Sequence, residues 1–339
     1  MSNRLTHLLS ASLLTSALLM GCTDGRPSNL LQLGGITTTS GTTLVPASDV
    51  QFDGQSTTIQ QMAIVNGSLF ATGKPFGFAR MEIAQDMENP SLTFAISKQL
   101  DTFSPMGKWL VDWYGGGAIA VWGQTAFMSG TVGTSVVTMA QTTRPVEVQR
   151  YPAAPAGSTT VPSDANYIYS AMTMHPTQGI LYAFTRQDNV FTWNLTQGRL
   201  DLMSKDAYGA AGQTVCCAMG AATFNNQVYV AFRDRLLIYS ILSNGKLQRL
   251  GMNTALNPTN VVATAQYLYV QHDPTSTSIG SGAPLYPQGI YVFNTQGANV
   301  GYFAAGNPAR FAVSPDNSRF YGYIAGSGAL KIYRISWTK

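Results

Sequence analysis

The chain has 339 residues, and only 11 % of them are charged, against roughly 25 % in an average soluble protein. Twenty Lys and Arg against 16 Asp and Glu give a formal charge of +4. No basic run of the kind a nucleic-acid footprint needs is present, so no nucleic-acid partner is expected. The 3 histidines include His7 near the start, which leaves His175 and His272 too few to build a metal site, and no metal is expected.

Arg4 and His7 precede an apolar run, Leu8–Met20, and Gly21-Cys22 follows it. A charged segment, about a dozen apolar residues and a small residue before a cut describe a secretory signal peptide over residues 1–21. The run is shorter than the roughly 20 residues that span a bilayer. Leu19-Met20-Gly21-Cys22 resembles the lipobox of bacterial lipoproteins. That resemblance implies cleavage before Cys22 and acylation of Cys22, and so a membrane partner held through lipid. Thr23 rather than Asp follows Cys22, which by the same resemblance implies the outer membrane. Residues 22–35, with Pro27, Gly34 and Gly35, read as a tether. Ile36–Ser48 is β-rich and nearly uncharged.

From there onward one pattern repeats. An inner strand comes first: Gln61–Asn66, Gly117–Gly123, Ala171–His175, Ala218–Phe224, Val261–Ala265 and Arg310–Ser314. A turn follows, then a strand with an aromatic at its third position: Phe70, Phe127, Tyr182, Tyr229, Tyr269 and Tyr321. Third strands are expected at Phe78–Ile83, Ser135–Ala140, Val190–Leu195, Leu236–Leu242, Gly289–Asn294 and Ala329–Ser336. Fourth strands are expected at Leu92–Ser97, Val146–Tyr151, Leu200–Met203, Leu247–Leu250 and Asn299–Ala304. Four antiparallel strands recurring about every 40–57 residues predict an all-β β-propeller over residues 36–339. Six blades are expected, or seven if Gln99–Gly116 contributes strands. The last blade runs out of chain after its third strand, so Ile36–Ser48 is predicted to close the ring beside Leu330–Ser336.

Phe311–Tyr321, FAVSPDNSRFY, resembles the SPDG-containing phrase of YVTN-type and lactonase-like propellers. Ala118–Tyr151, with Arg144-Pro145-Val146-Glu147-Val148, resembles the LVIVD-type repeat. Both imply the propeller fold; propellers host many unrelated functions.

Several groups could carry chemistry. Cys216-Cys217 are adjacent thiols, candidates for a vicinal disulfide in an oxidising envelope. Such a pair resembles quinoprotein dehydrogenases, but the Trp-containing blade motifs of that family are missing. A rigid turn is the favoured role, and no cofactor is expected. Lactonase-like propellers use carboxylates or a metal near the central channel, which makes Asp164, Asp188, Asp234, Asp273 and Asp316 candidates by resemblance. None shows a spacing that demands catalysis, and Asp316 has a ready turn role. His272-Asp273 is the best polar dyad and reads mainly as a loop feature. Trp109, Trp113 and Tyr114, with Trp122 beyond a glycine run, form either a binding patch or inter-blade packing. Pro274–Pro287 is a long uncharged loop.

Together these readings predict a lipid-anchored envelope β-propeller that binds or scaffolds an envelope protein partner. The alternative is a lactonase-like or other hydrolytic propeller with a site at the central channel.

Overall fold

The computed structural model describes residues 42–51, 58–74, 77–96, 118–130, 133–139, 146–153, 165–185, 189–196, 199–207, 218–232, 234–276, 286–304, 310–323 and 329–337. They form six four-stranded antiparallel sheets. Blade 1 is β2 (Thr58–Val65), β3 (Ser68–Lys74), β4 (Gly77–Glu82) and β5 (Ser91–Ile96). Blade 2 is β6 (Ile119–Trp122), β7 (Thr125–Ser129), β8 (Thr134–Thr138) and β9 (Val146–Tyr151). Blade 3 is β10 (Ala171–Met174), β11 (Ile180–Phe184), β12 (Asn189–Thr196) and β13 (Arg199–Ala207). Blade 4 is β14 (Ala218–Phe224), β15 (Gln227–Phe232), β16 (Arg235–Ile241) and β17 (Leu247–Asn253). Blade 5 is β18 (Pro258–Ala263), β19 (Tyr267–His272), β20 (Gly289–Asn294) and β21 (Asn299–Phe303).

Blade 6 combines β22 (Arg310–Val313), β23 (Arg319–Tyr323) and β24 (Ala329–Trp337) with the N-terminal β1 (Thr42–Gln51). The closing strand therefore pairs with the predicted partner, Thr43 facing Ser336 and Val50 facing Leu330. Its bounds differ from Ile36–Ser48: it runs on to Gln51, and residues 36–41 lie outside the described residues. The neighbouring inner strands touch all the way round, β22 meeting β2. Six blades thus complete the ring, and Gln99–Gly116 lies outside the described residues.

Period-two alternation explains how each blade covers both neighbours. The second-strand aromatics Phe70, Phe127, Tyr182, Tyr229, Tyr269 and Tyr321 are all buried and face the following blade. The residues just before them, Leu69, Ala126, Leu181, Val228, Leu268 and Phe320, face the preceding one. The hydrophobic core is accordingly six layers, one per seam. Tyrosine hydroxyls extend the packing across seams, since a buried O–H needs an acceptor. Tyr182 donates to the Gly245 carbonyl of blade 4 (2.9 Å), Tyr269 to Asn317 Oδ1 of blade 6 (2.8 Å) and Tyr321 to the Met87 carbonyl of blade 1 (3.1 Å).

Each outermost strand carries a one-residue bulge: Ala47, Thr93, Val148, Met203, Leu250 and Val300 are skipped by the partner strand. Innermost strands bulge too, at Gln60, Met219 and Thr259. A bulge interrupts alternation. That is why the sequence pattern places the first and fifth inner strands only after the break, from Gln61 and Val261, whereas they begin at Thr58 and Pro258.

Candidate functional site

The inner strands run parallel about the axis and enclose a central cavity of about 560 Å³. Their C-terminal ends and the turns after them, at Trp122, Pro176, Asn225, Ala265 and Pro315, form its mouth. Its deep end is made by Gln61 and Asn260. Gln61 reaches from blade 1 across the axis to blade 4, where Nε2 donates to the Met219 carbonyl (2.9 Å). The bulge at Met219 lies in the short register break between Ala218 and Gly220. Asn260 Oδ1 accepts the Val261 amide (2.9 Å), and Asn260 is only 3 % exposed. Gly220 makes room for it: a Cβ there would sit 2.5 Å from Asn260 Oδ1. Beneath this floor Arg310 donates through Nε to the Gln60 carbonyl, and burial lowers its pKa.

The wall joins apolar side chains to uncharged polar ones. Thr223 Oγ1 donates to the Met174 carbonyl (2.7 Å) and lies 3.1 Å from Thr173 Oγ1. A hydroxyl has one proton, so Thr173 is the donor of that pair. His175 Nδ1 accepts the amides of Thr177 (3.2 Å) and Gln178 (3.1 Å). An Nδ1 that accepts two amides carries no proton, which places the ring's proton on Nε2; burial lowers the His175 pKa. Among the described lining residues there is no Asp, Glu, Lys or Arg.

The three predicted acids among the described residues, Asp234, Asp273 and Asp316, sit in turns of three different blades. Asp234 forms an ion pair with Arg235, whose guanidinium bonds lower its pKa. Asp273 Oδ1 accepts the Thr275 amide (2.9 Å) and hydroxyl (2.7 Å). Asp316 accepts the hydroxyls of Ser314 (2.6 Å) and Ser318 (2.7 Å). Burial pushes its carboxyl up, but those bonds outweigh it and the pKa is lowered. The turn role expected of Asp316 is thus what its contacts show. Its neighbour Asn317 takes the left-handed conformation, φ 59°, where the resembled phrase has Gly; Asn tolerates that region.

His272 corrects a reading. It is the last residue of β19 and fully buried, not a loop residue. Nδ1 accepts the Asn257 amide (2.8 Å) and Nε2 lies 3.1 Å from the Tyr286 carbonyl. Both ring nitrogens are thereby engaged by backbone, and burial lowers the pKa. Trp122 packs against the blade 2–3 layer and also lines the mouth. Cys22, Trp109, Trp113, Tyr114, Asp164, Asp188, Cys216 and Cys217 lie outside the described residues. Among the described residues no cluster of three or more His, Cys, Asp or Glu could hold a metal.

Sequence reasoning missed Gln61, Asn260 and the Thr173–Thr223 pair as channel features. The signal was present in the polar residues that interrupt otherwise small, apolar inner strands.

No family model and no curated relative matches the sequence. Solved structures do match. A chain of the mitotic checkpoint complex aligns with TM-score 0.51 at 8 % identity, over 83 % of this chain and 77 % of that one. A 6-phosphogluconolactonase-like protein from Bacteroides uniformis aligns with TM-score 0.50 at 15 % identity, over 86 % and 80 %. The β-propeller domain of Myceliophteria thermophila Cps50 (Swd1) aligns with TM-score 0.51 at 10 % identity, over 81 % and 83 %. At such identities the likeness is one of fold: this chain is a six-bladed β-propeller.

Proposed function

We propose that this protein is a lipid-anchored β-propeller of the bacterial outer membrane that binds or scaffolds an envelope protein. The anchoring rests on the sequence of residues 1–22, with acylation at Cys22. The binding role rests on one observation above all. The described channel lining is uncharged, while Asp234, Asp273 and Asp316 are each engaged by neighbours in their own turns. A hydrolytic site would need several such carboxylates converging at one mouth. Trp109, Trp113 and Tyr114 are the proposed contact residues, because aromatic side chains supply most binding energy per residue.

Crosslinking on intact cells, followed by purification through this chain, tests the role. A partner recovered from wild type and reduced in a Trp109→Ala/Trp113→Ala variant supports it. No partner, together with turnover of a lactone or other ester by the purified protein, would replace it with the hydrolytic reading. Metabolic labelling with a fatty acid tests the anchor: label should be lost in Cys22→Ala.

A further inference from the structure

We infer that the central channel is a binding site for a small, uncharged organic ligand that carries amide or hydroxyl groups on an apolar frame. Its volume of about 560 Å³ lies within the roughly 300–1,000 Å³ of small-molecule sites. The lining extends from Gln61 and Asn260 to the turns after the inner strands, and the Gln61–Met219 hydrogen bond spans the axis at the Gln61 end.

Polar groups in the wall are arranged with their directions already set. Asn260 points its Oδ1 at the Val261 amide, which leaves the Nδ2 protons as open donors. Gln61 donates Nε2 across the axis, which leaves Oε1 as an open acceptor. Thr173 gives its proton to Thr223, so its lone pairs remain available. His175 commits Nδ1 to two backbone amides, and its Nε2–H is the ring's remaining polar group. Asn260 and His175 are 3 % and 7 % exposed. Neither Asn260 Nδ2 nor His175 Nε2 is sealed from solvent without a partner, so both donors are reachable from the cavity by a ligand's acceptors.

The same wall disfavours ions. With no charged side chain among the described lining residues, a carboxylate or ammonium would lose its hydration without a counter-charge. Met172, Met174 and Val262 supply apolar contact beside the polar groups, and methionine adapts to irregular shapes. A neutral molecule with both a donor and an acceptor edge complements this mixture of open donors and acceptors.

The full chain, purified in a zwitterionic detergent, can be probed with three cyclohexyl compounds of similar size: cyclohexanecarboxamide, cyclohexanecarboxylate and cyclohexylmethylammonium. Ligand-observed saturation-transfer NMR reads binding. The amide should bind at least ten-fold more tightly than either ion. Asn260→Leu and Thr173→Val should each weaken it several-fold, and Ala221→Phe, which fills the wall, should abolish it. Were the pocket merely greasy, Asn260→Leu would tighten binding, and that result overturns the inference. So does equal binding of the ions, binding that survives Ala221→Phe, or no binding of any probe. Melting curves identify variants that fail to fold, and Thr173→Val, the mildest change, then carries the comparison. The experiment is independent of partner capture, so either conclusion can fail alone.

Discussion

Two seams of the ring are built differently. Between blades 4 and 5 the chain passes directly from one sheet to the next, and the gap is filled by buried Phe224, Tyr229, Leu236, Ile238, Leu268, Val270, Tyr291 and Phe293. Between blades 6 and 1 the two ends of the propeller meet. An apolar layer including Ile59, Leu69, Tyr321, Leu330 and Ile332 is present there too, but a polar clamp is added. The blade 1 loop after β4 crosses the seam, and Glu88 receives Arg334 through Nε (2.6 Å) and Nη2 (2.7 Å) and Arg319 through Nη2 (2.7 Å). Ser48 of β1 donates to the Glu88 carbonyl, and Asp86 shapes the loop by accepting the amides of Glu88 (2.9 Å) and Asn89 (3.0 Å). Where the chain itself sets the register, single hydrogen bonds accompany the apolar filling, such as Asn225 Nδ2 to the Thr295 carbonyl (3.1 Å) between blades 4 and 5. The ion pairs that cross a seam among the described residues are those of Glu88. Where distant ends must find one another, directional bonds select one alignment, because apolar contact is non-directional.

The largest effect should come from the closing strand. Deleting 42–51 strips β24 of its partner and uncovers a sheet edge. Loss of the cooperative melt and growth of light scattering are expected, with recovery when the Thr42–Gln51 peptide is supplied in trans. If the deleted chain melts as sharply as the parent, β1 does not close the ring. Next in size is Phe293→Ala in the blade 4–5 seam, which should lower stability by about 3–5 kcal/mol in urea titrations. Tyr321→Phe removes only the hydroxyl bond to Met87 and should lower it by about 1 kcal/mol.

A pH titration sharpens the comparison further. His272 is buried and neutral beside Asn257, the Tyr286 carbonyl and the Tyr291 ring, with Asp273 adjacent. Its folded pKa is lowered, so the unfolded chain binds the proton more readily. The stability it contributes is complete above about pH 6.5, its ordinary value, and fades as pH falls through the lowered folded value. His272→Gln should flatten that part of the stability curve; an unchanged slope would place the titrating group elsewhere. The smallest effect is expected at Glu88. Its carboxyl is held below the ordinary range, first by the Arg334 hydrogen bond. The benefit is therefore present above the usual carboxylate value and lost as pH falls through the folded one. Glu88→Gln should lower the melting temperature slightly at neutral pH and low salt, and match wild type in acid.

Much of this ring is legible in the chain because its rules are local. β14, β20 and β9 occupy Ala218–Phe224, Gly289–Asn294 and Val146–Tyr151, the bounds that alternation gives. The aromatic third position of each second strand marks a seam without exception. Less legible are features that depend on partners far along the chain. Glu88 meets Arg334 across 246 positions, and nothing near Glu88 announces it. Bulges at Gln60 and Thr259 break the alternation that pattern reading relies on. Asn260 looks like a strand-edge amide until Gly220 of the neighbouring blade is seen to leave space for it.

The bulge repeated on every outer strand has a consequence beyond the single molecule. A straight outer strand would offer its unpaired amides and carbonyls to the next wheel it touched, and two wheels could zip into a continuous ribbon. Here each rim is kinked near its middle, so copies crowded flank to flank meet a profile that does not propagate. The perimeter thereby works against growth of a sheet from wheel to wheel.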